Sequence, residues 1–472
     1  MESRILIKDQ DIEKEEPVTL VSPRNPTPVQ THFLSNLDQT VAFPVETLFF
    51  FRPSPGERTS IDILEKVKKS VSDVLLIPYY FMAGRLNLNL QSNRLELVCN
   101  NAGALFVGAR SRLKLKDLGN VALPNPSFWR LLLRIDGFMK LSETPLLTIQ
   151  AILTFSLDYD VFFIALLQVT RFKCGGFSIG FVTNHSLLDG LSAAEMFQNL
   201  ASICRGEGPK ISVLCNDRTC FRARDPLQLN FPEREDEKEL EISSLPSTFS
   251  SPKQPTPPPS LLELSHNYSC KLFSFTPEMI SILKAKANAK CSSFEAVVAH
   301  IWKARTKAVF DDPSEISTVM FAVDIRTKVC PPLPHGFVGN AVISACASAK
   351  VADLDEKPFS FSVEKVKEAK QSVTDEYVRS VIDWLEIYKG EPCTSDGNFY
   401  VSAWLNLPFH ELDFGYGKPI YGGPVVSDRV EFVLLLSDGN GDGNTGRRGG
   451  INVWIVLETD KMPKFMVHVL DI

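Results

Sequence analysis

The sequence has little of what marks membrane, secreted or nucleic-acid-binding proteins. Asp158 and Asp160 interrupt its most apolar region, so no run reaches the roughly 20 apolar residues that span a bilayer. The first residues are charged and contain no apolar core, which argues against a signal peptide. The net charge is −6, whereas nucleic-acid binders typically have an excess of basic residues. We therefore expect a cytoplasmic protein with no transmembrane segment and no nucleic-acid partner.

Closely spaced cysteine pairs are also lacking. The ten cysteines are scattered and none forms a C-x-x-C pair, so the spacing of zinc ligands is absent. We expect free thiols in a reducing compartment, and we interpret Cys174 as a core residue and not as a nucleophile. The stretch DGNGDG at 438–443 imitates a calcium loop, but its twelfth position is Gly449 instead of a glutamate. The sequence thus predicts no metal site.

The clearest change in composition lies between residues 243 and 260, where serine and proline dominate. Such a stretch has little to bury and is typical of an exposed linker. A chain of 472 residues is long enough for two domains that each have a core. We predict an N-terminal domain over 1–210, a crossover linker over 211–260 and a C-terminal domain over 261–472.

Helix and strand patterns alternate along the chain and predict an α/β protein. Capping signals predict helices that start at Ser192, at Thr276 with Pro277, and at Ser292; the first should stop at Gly206. The predicted strands are LLTIQ at 146–150, FSIGFVTN at 177–184, STVMFAVDI at 317–325, EFVLLLS at 431–437, INVWIVLE at 451–458 and FMVHVL at 465–470.

The stretch NHSLLDG holds the one histidine, His185, that has an aspartate four residues later, Asp189. A glycine turn and a strand precede His185 and a helix follows it, and sites form at such strand ends in α/β proteins. Near neutral pH a histidine can take a proton from a hydroxyl or an amine. The spacing alone still favours a structural histidine, with Asp189 capping the turn.

A second motif far downstream, LDFGYGKP at 412–419, changes that balance. Together the two motifs resemble the HxxxD and DFGWG signatures of the BAHD acyltransferases of plants. The resemblance covers almost the whole chain, through FLSNLDQ at 33–39, LIPYYFMAGRL at 76–86, SSFEAVVAHIWKAR at 292–305 and VDIRTKVCPPLPHGFVGNAV at 323–342. It implies two similar chloramphenicol-acetyltransferase-like domains, with mixed sheets, flanking helices and an active-site channel between them. It also implies transfer of an acyl group from a coenzyme A thioester to an alcohol or amine, without a bound cofactor.

The resemblance assigns roles to residues of both motifs. It implies that His185 is the general base and that Asp189 and Gly190 hold the loop in shape. The stretch YVSAWLNLP at 400–408 matches a segment that lines the family's active site. Ser402 and Trp404 would there donate hydrogen bonds to the tetrahedral intermediate, for which a hydroxyl and an indole N–H are suitable groups.

The roles that the resemblance implies for the second motif are structural. Asp413 would pair with Arg326, while Gly415 and Gly417 would allow tight backbone turns. Tyr416 stands where the family usually has tryptophan; it keeps an aromatic ring but is smaller and carries a hydroxyl. On its own the motif is typical of a glycine turn between strands.

Residues 151–168 interrupt the resemblance. Removing them joins Gln150 to Val169 and leaves an uninterrupted strand pattern, LLTIQVTRF. The segment is a retained intron or a lineage-specific loop. Since its apolar side chains are costly to leave in water, we expect it to reduce solubility and to lie outside the regular sheet.

The sequence thus predicts a monomeric acyl-CoA-dependent O-acyltransferase. Finer features, such as CNDRTCFRARDP at 215–226, resemble the branch of omega-hydroxypalmitate feruloyl transferases and fatty-alcohol caffeoyl transferases. That branch implies a hydroxycinnamoyl donor and a long-chain hydroxy fatty acid or fatty alcohol as acceptor. Two alternatives remain: an N-acyltransferase acting on an amine or polyamine, and a non-catalytic partner protein of the same family.

Overall fold

The computed structural model describes a large part of the chain, with gaps. The described ranges are 5–15, 19–23, 25–53, 61–72, 78–123, 125–133, 162–163, 165–230, 268–388, 398–425, 432–439 and 449–472. The predicted linker at 243–260 and the predicted strand at 146–150 lie outside them. Across these ranges, no helix combines the length and the hydropathy needed to cross a membrane.

The strands are, in chain order, β1 Ile12–Lys14, β2 Thr19–Val21, β3 Gln30–Phe33, β4 Pro44–Phe51, β5 Arg85–Asn89, β6 Arg94–Cys99, β7 Ala104–Ser111, β8 Phe162–Phe163, β9 Ala165–Phe172, β10 Phe177–Asn184, β11 Tyr268–Phe275, β12 Ile316–Asp324, β13 Val342–Lys350, β14 Asn398–Ala403, β15 Tyr421–Pro424, β16 Phe432–Ser437 and β17 Ile451–Glu458. The α-helices are α1 Asn36–Gln39, α2 Ile61–Ser70, α3 Gly190–Cys204, α4 Pro277–Lys286, α5 Ser293–Val309, α6 Val351–Glu356, α7 Phe359–Gln371, α8 Asp375–Tyr388 and α9 Met462–Val469.

The chain divides into two compact units, and neither is continuous in sequence. The first unit comprises 1–222, 334–340 and 407–426, and the second comprises 223–333, 341–406 and 427–472. The first therefore includes the DFGYG motif, which the linear division of the sequence assigns to the C-terminal domain. The physical reason is β15, which pairs with β4 over Tyr421–Pro424 and so carries the surrounding segment into the first unit.

Each unit contains a mixed sheet with helices, as the sequence predicts. In the first unit the strand order is β1-β7-β9-β10-β4-β15, with β2 also paired to β7, and β7 and β9 run parallel. A smaller sheet of the same unit has the order β3-β6-β5-β8. In the second unit the order is β11-β17-β16-β14-β12-β13, with β12, β14 and β16 parallel.

The strand before His185 lies in the interior of the large sheet. Every residue of β10 is buried, between β4 and β9. A Cβ on Gly180 would lie 2.6 Å from the carbonyl oxygen of Leu131, so glycine permits a close backbone approach there. Aromatic rings of Phe49 and Phe197 pack against Phe181 on this strand. A rigid, fully buried strand thus fixes the position of the residue that follows it.

Most predicted elements outside the gaps are confirmed. Thr276 caps α4, with Pro277 as its first residue, and Ser292 and Glu295 form the capping box of α5. The predicted strand at 465–470 is wrong, because Met462–Val469 is the helix α9. Its buried residues Met462, Phe465 and Val469 follow helical spacing, and the pattern from 465 onward alone imitates strand alternation.

The expectation that 151–168 lies outside the regular sheet is wrong for its last residues. Residues 165–168 begin β9, which is flanked by β7 and β10 in the sheet interior. Leu167 and Gln168 are buried, and the strand gains backbone hydrogen bonds on both sides. Phe162–Phe163 pairs with β5, and the remainder of the segment lies outside the described residues.

Candidate active site

His185 directly follows β10, in the connection to α3, as the sequence predicts. Its backbone N–H donates to the carbonyl of Phe43 at 2.8 Å, and the Phe43 ring centroid lies 5.4 Å from the imidazole. The Asn184 side chain accepts from the N–H and the hydroxyl of Ser186, at 3.0 and 2.8 Å, which closes a tight turn. The residue as a whole is of intermediate exposure, and these contacts hold its backbone and one side of its ring in place.

An asparagine from a distant part of the first unit contacts the imidazole. Asn340 Oδ1 lies 3.0 Å from His185 Nδ1, and Asn340 Nδ2 donates to the backbone carbonyl of His185 at 2.8 Å. The same Nδ2 donates to Asp38 Oδ1 at 2.8 Å. One asparagine thereby links the ring and the backbone of His185 to a buried carboxylate.

The carboxylate of Asp38 is fully buried and surrounded by donors. Its Oδ2 accepts from the backbone N–H and the hydroxyl of Ser35, at 2.8 and 2.7 Å. Arg218 Nε lies 3.3 Å from the same oxygen, and both side chains of this ion pair are almost completely buried. Arg218 Nη2 also donates to the carbonyl of Leu187 at 2.9 Å. We refer to Ser35, Asp38, Arg218 and Asn340 as the Asp38 cluster.

Sequence patterns predict no role for these four residues, although each lies in or beside a stretch that resembles the family. The one local signal is the S-x-x-D spacing of Ser35 and Asp38, which forms a capping box at α1. The contact between Asp38 and Asn340 spans 302 residues and leaves no local signal in the sequence.

The environment of His185 has opposing effects on its pKa. Burial lowers the pKa, while its own backbone carbonyl, Asp189, Asn340 and Asp38 raise it, and the net result is a pKa below 6.5. Burial lowers the pKa because it disfavours the charged imidazolium, and this effect is the largest of those named above. At neutral pH the imidazole is therefore uncharged and has a nitrogen lone pair, which a general base requires.

The motif aspartate, Asp189, caps the helix that follows. Its Oδ1 accepts from the backbone N–H of Ser192 at 2.9 Å, and α3 begins at Gly190. The sequence prediction that Ser192 caps this helix is wrong, and the predicted stop at Gly206, with φ of 83°, is confirmed. A Cβ on Gly190 would lie 2.9 Å from Leu407 Cδ1, so a larger residue would displace that leucine.

In the DFGYG motif the backbone wraps around one carboxylate oxygen. Asp413 Oδ1 accepts from the N–H groups of Gly415, Tyr416 and Gly417, at 2.6, 3.0 and 2.9 Å. Gly415 and Gly417 have φ of 93° and 86°, in the left-handed region that favours glycine. The Tyr416 ring packs edge-on against Phe177 at the start of β10, with centroids 5.2 Å apart. The motif therefore borders the strand that leads to His185.

The remaining predicted residues belong to the second unit. Ser402 lies in β14, and the indole Nε1 of Trp404 donates to its hydroxyl oxygen at 3.1 Å. The Trp404 backbone N–H donates to the carbonyl of Leu435 at 2.8 Å, which extends the sheet. Arg326 Nη1 lies 3.4 Å from Asp324. Arg326 belongs to the second unit and Asp413 to the first. The pairing of these two residues stays a prediction.

The chain is similar to known proteins over almost its whole length. Residues 12–471 match the family model described as Transferase family. The acyltransferase GLAUCE of Arabidopsis thaliana is 35% identical, over 98% of this chain and 96% of its own. The omega-hydroxypalmitate O-feruloyl transferase of the same plant is 33% identical, over 98% and 93%. The crystal structure of vinorine synthase, 22% identical, aligns over 97% of this chain and 98% of its own with a TM-score of 0.67, which shows a shared fold.

Proposed function

We propose that this chain transfers a hydroxycinnamoyl group to the hydroxyl of a long-chain acceptor. The chain belongs to the Transferase family and is an acyl-CoA-dependent acyltransferase of the BAHD type. The observation that carries the transfer chemistry is His185, whose pKa is lowered by burial and whose ring is held through Nδ1. Similarity to the omega-hydroxypalmitate O-feruloyl transferase, whose name states its donor and acceptor, supports the choice of both.

In the proposed reaction His185 takes the proton from the acceptor hydroxyl as its oxygen attacks the thioester carbonyl. The tetrahedral intermediate then collapses, the bond from carbon to sulfur breaks, and His185 returns the proton to the departing thiolate of coenzyme A. Group transfer of this kind needs no redox change, because the electron pair leaves with the sulfur. General-base catalysis by a positioned histidine typically contributes ~10²–10⁴-fold to the rate.

Ser402 and Trp404 are the proposed donors to the oxyanion. Trp404 Nε1 donates to Ser402 Oγ, so the hydroxyl hydrogen of Ser402 is available to a third atom. In this arrangement Ser402 is placed to donate directly, while the single indole N–H of Trp404 is engaged by Ser402 and must turn from it to donate to the oxyanion as well. We assign Asp189, Gly190, Asp413, Gly415 and Gly417 structural roles, and we extend the same role to Arg326.

We further propose that the enzyme is a cytoplasmic monomer. Support for the cytoplasmic location comes from the nine described cysteines, which are all free thiols, as is usual in reducing compartments.

Among the described residues, no group of three or more histidine, cysteine, aspartate and glutamate side chains is placed to hold a metal ion.

The test is an acyl-transfer assay of the purified chain with feruloyl-CoA and caffeoyl-CoA as donors. Acceptors are omega-hydroxypalmitate, a long-chain fatty alcohol and, for the alternative N-acyl transfer, a polyamine, and products are identified by mass spectrometry. We expect an ester of the long-chain hydroxyl. Amide products alone would support the N-acyltransferase, and no product with any pair would favour the non-catalytic alternative.

His185→Ala tests the role of the base in the same assay. We expect loss of ester formation by at least ~10²-fold, since a positioned base supplies about that much. His335→Ala is the matched control, because His335 is exposed and should keep the parent rate. A loss of less than about tenfold in His185→Ala, with the control unchanged, would contradict the assignment.

A further inference from the structure

The side-chain amide of Asn340 has one orientation that its surroundings accept. Its Nδ2 lies 2.8 Å from Asp38 Oδ1 and 2.8 Å from the backbone oxygen of His185. A carboxylate and a carbonyl oxygen accept hydrogen bonds and cannot donate. The reversed amide would place its own oxygen against both of them, with three acceptors facing each other. The amide oxygen is therefore the atom that faces His185.

The orientation of the amide determines where the imidazole carries its proton. Asn340 Oδ1 lies 3.0 Å from His185 Nδ1, and an amide oxygen can only accept, so Nδ1 must donate. A neutral imidazole protonated at Nδ1 has its lone pair at Nε2. We propose that Asn340 and Asp38 are positioning residues that hold His185 as the Nδ1–H tautomer and leave Nε2 as the base. The inference rests on the proposed function for the role of that lone pair, but the tautomer itself follows from the contacts.

Asp38 is fixed strongly enough to fix Asn340. Its second oxygen is held by the N–H and hydroxyl of Ser35 and by the buried guanidinium of Arg218. Asp38 Oδ1 is thus left for Asn340, whose backbone N–H also approaches it at 3.3 Å. A buried, hydrogen-bonded carboxylate cannot rotate without losing these partners. Arg218 also donates to the carbonyl of Leu187. The Asp38 cluster therefore contacts both the imidazole ring of His185 and the backbone two residues after it.

The experiment is nitrogen NMR on the full chain labelled with ¹⁵N-histidine, at about pH 8, where histidines are neutral. Two-bond correlations distinguish the tautomers, and the signals of His185 are those that disappear in His185→Ala. His300 is an internal reference of the opposite kind, because its Nε2 lies 2.9 Å from the carbonyl of Val469 and must donate. We expect Nδ1–H for His185 and Nε2–H for His300. An Nε2–H tautomer at His185 would overturn the proposal.

The variant Asn340→Leu replaces the amide by an apolar side chain of similar size, which removes both the acceptor for His185 Nδ1 and the Nδ2 donor. We expect the His185 tautomer to shift toward Nε2–H and kcat for feruloyl transfer to fall by up to ~10²-fold, the loss that a small misplacement of a reacting group can cause, with KM for feruloyl-CoA nearly unchanged. Asn199→Leu is the matched control: Asn199 is equally buried and binds Tyr79 and Ile211. It should lower stability and leave the tautomer as it is.

The outcomes separate this inference from the proposed function. If Asn340→Leu keeps both the tautomer and kcat, Asn340 is not a positioning residue. An Nε2–H tautomer in an enzyme that His185→Ala inactivates overturns the inference alone. Full activity in His185→Ala overturns the proposed base, while the wild-type spectrum still decides the tautomer.

Discussion

At the scale of single residues, His185 is positioned by the buried strand before it and by Asn340, which lies far from it in the chain. Its position at the end of a strand and the family motif identified it, and the structure confirms the strand and the turn. Its partners could not be predicted, because Asp38 and Asn340 are 302 residues apart and neither spacing nor composition relates them. The motif aspartate Asp189 is the nearest acid in sequence, yet its Oδ1 caps α3.

The pH dependence of activity follows from the lowered pKa of His185. The proposed base, His185, acts only when neutral, and its pKa lies below 6.5 because burial outweighs the groups that raise it. As the pH falls through that pKa the imidazole gains a proton and kcat/KM falls, whereas above 6.5 the histidine is already neutral. We expect the acidic limb of kcat/KM for feruloyl transfer below pH 6.5. An acidic limb above 6.5 that the His335→Ala control shares would contradict the effect of burial.

Asp413→Ala should reduce stability more than substrate binding. The change leaves three backbone N–H groups, those of Gly415, Tyr416 and Gly417, without the oxygen that they share. We expect the free energy of unfolding to fall by about 1–3 kcal/mol, measured by urea denaturation. Asp413→Asn keeps an acceptor oxygen and should lose less. A variant that unfolds like the parent and loses only acceptor affinity would show that Asp413 belongs to the binding site.

At the scale of elements, the sequence predicted the helices and strands whose capping residues or alternation lie within the element itself. The capping boxes and the alternating strands were correct where one signal dominated. The start of α3 was missed because two acceptors compete, and Asp189 caps the helix ahead of the S-x-x-E spacing of Ser192. The strand predicted at 465–470 was wrong because the short apolar run fits both periods, and Met462 and Pro463 just before it belong to the helix.

The segment 151–168 poses a sharper question at this scale. Residues 165–168 are the start of β9, which argues against a protruding loop over those four positions. Yet deletion of 151–168 would bring Leu147, Thr148, Ile149 and Gln150 to the positions of Ala165, Leu166, Leu167 and Gln168. Both tetrapeptides have an apolar residue at the first and third positions and glutamine at the last, and they differ at the second, where Thr148 would replace Leu166. Either one therefore supplies the apolar side chain that Leu167 contributes to β9.

Deletion of residues 151–168 should therefore give a folded protein that is at least as active as the parent. We expect the variant to be more soluble, because fewer apolar side chains need burial, and measure yield, melting temperature and ester formation. The control is Gln150→Lys within the deletion variant. Gln168 is buried and donates to Thr170 Oγ1 at 2.9 Å, so a lysine in its place should destabilise the protein. An unfolded deletion variant would show that the segment is an integral part of the sheet.

At the scale of the whole molecule, the sequence predicted two mixed sheets but not which segments build each unit. The first unit takes 334–340 and 407–426 from the second half of the chain. The former brings Asn340 to His185 and Phe337 to Phe221, whose ring centroids are 5.8 Å apart. Such contacts arise from the path of the chain through three dimensions, and no local pattern encodes them.

This organisation predicts that cutting the chain in the predicted linker will not separate its parts. A specific protease site introduced at 250–255 divides the sequence, but the first unit needs segments from both sides of the cut. After the cut, β15 still pairs with β4, and Phe409 and Phe414 still pack against Phe49 and Phe51. We expect the two fragments to elute together in size-exclusion chromatography and to unfold cooperatively. A chain that ends at Arg222 lacks both segments, leaves the edge of β4 unpaired and should not unfold cooperatively. Fragments that separate without denaturant would contradict the discontinuous first unit.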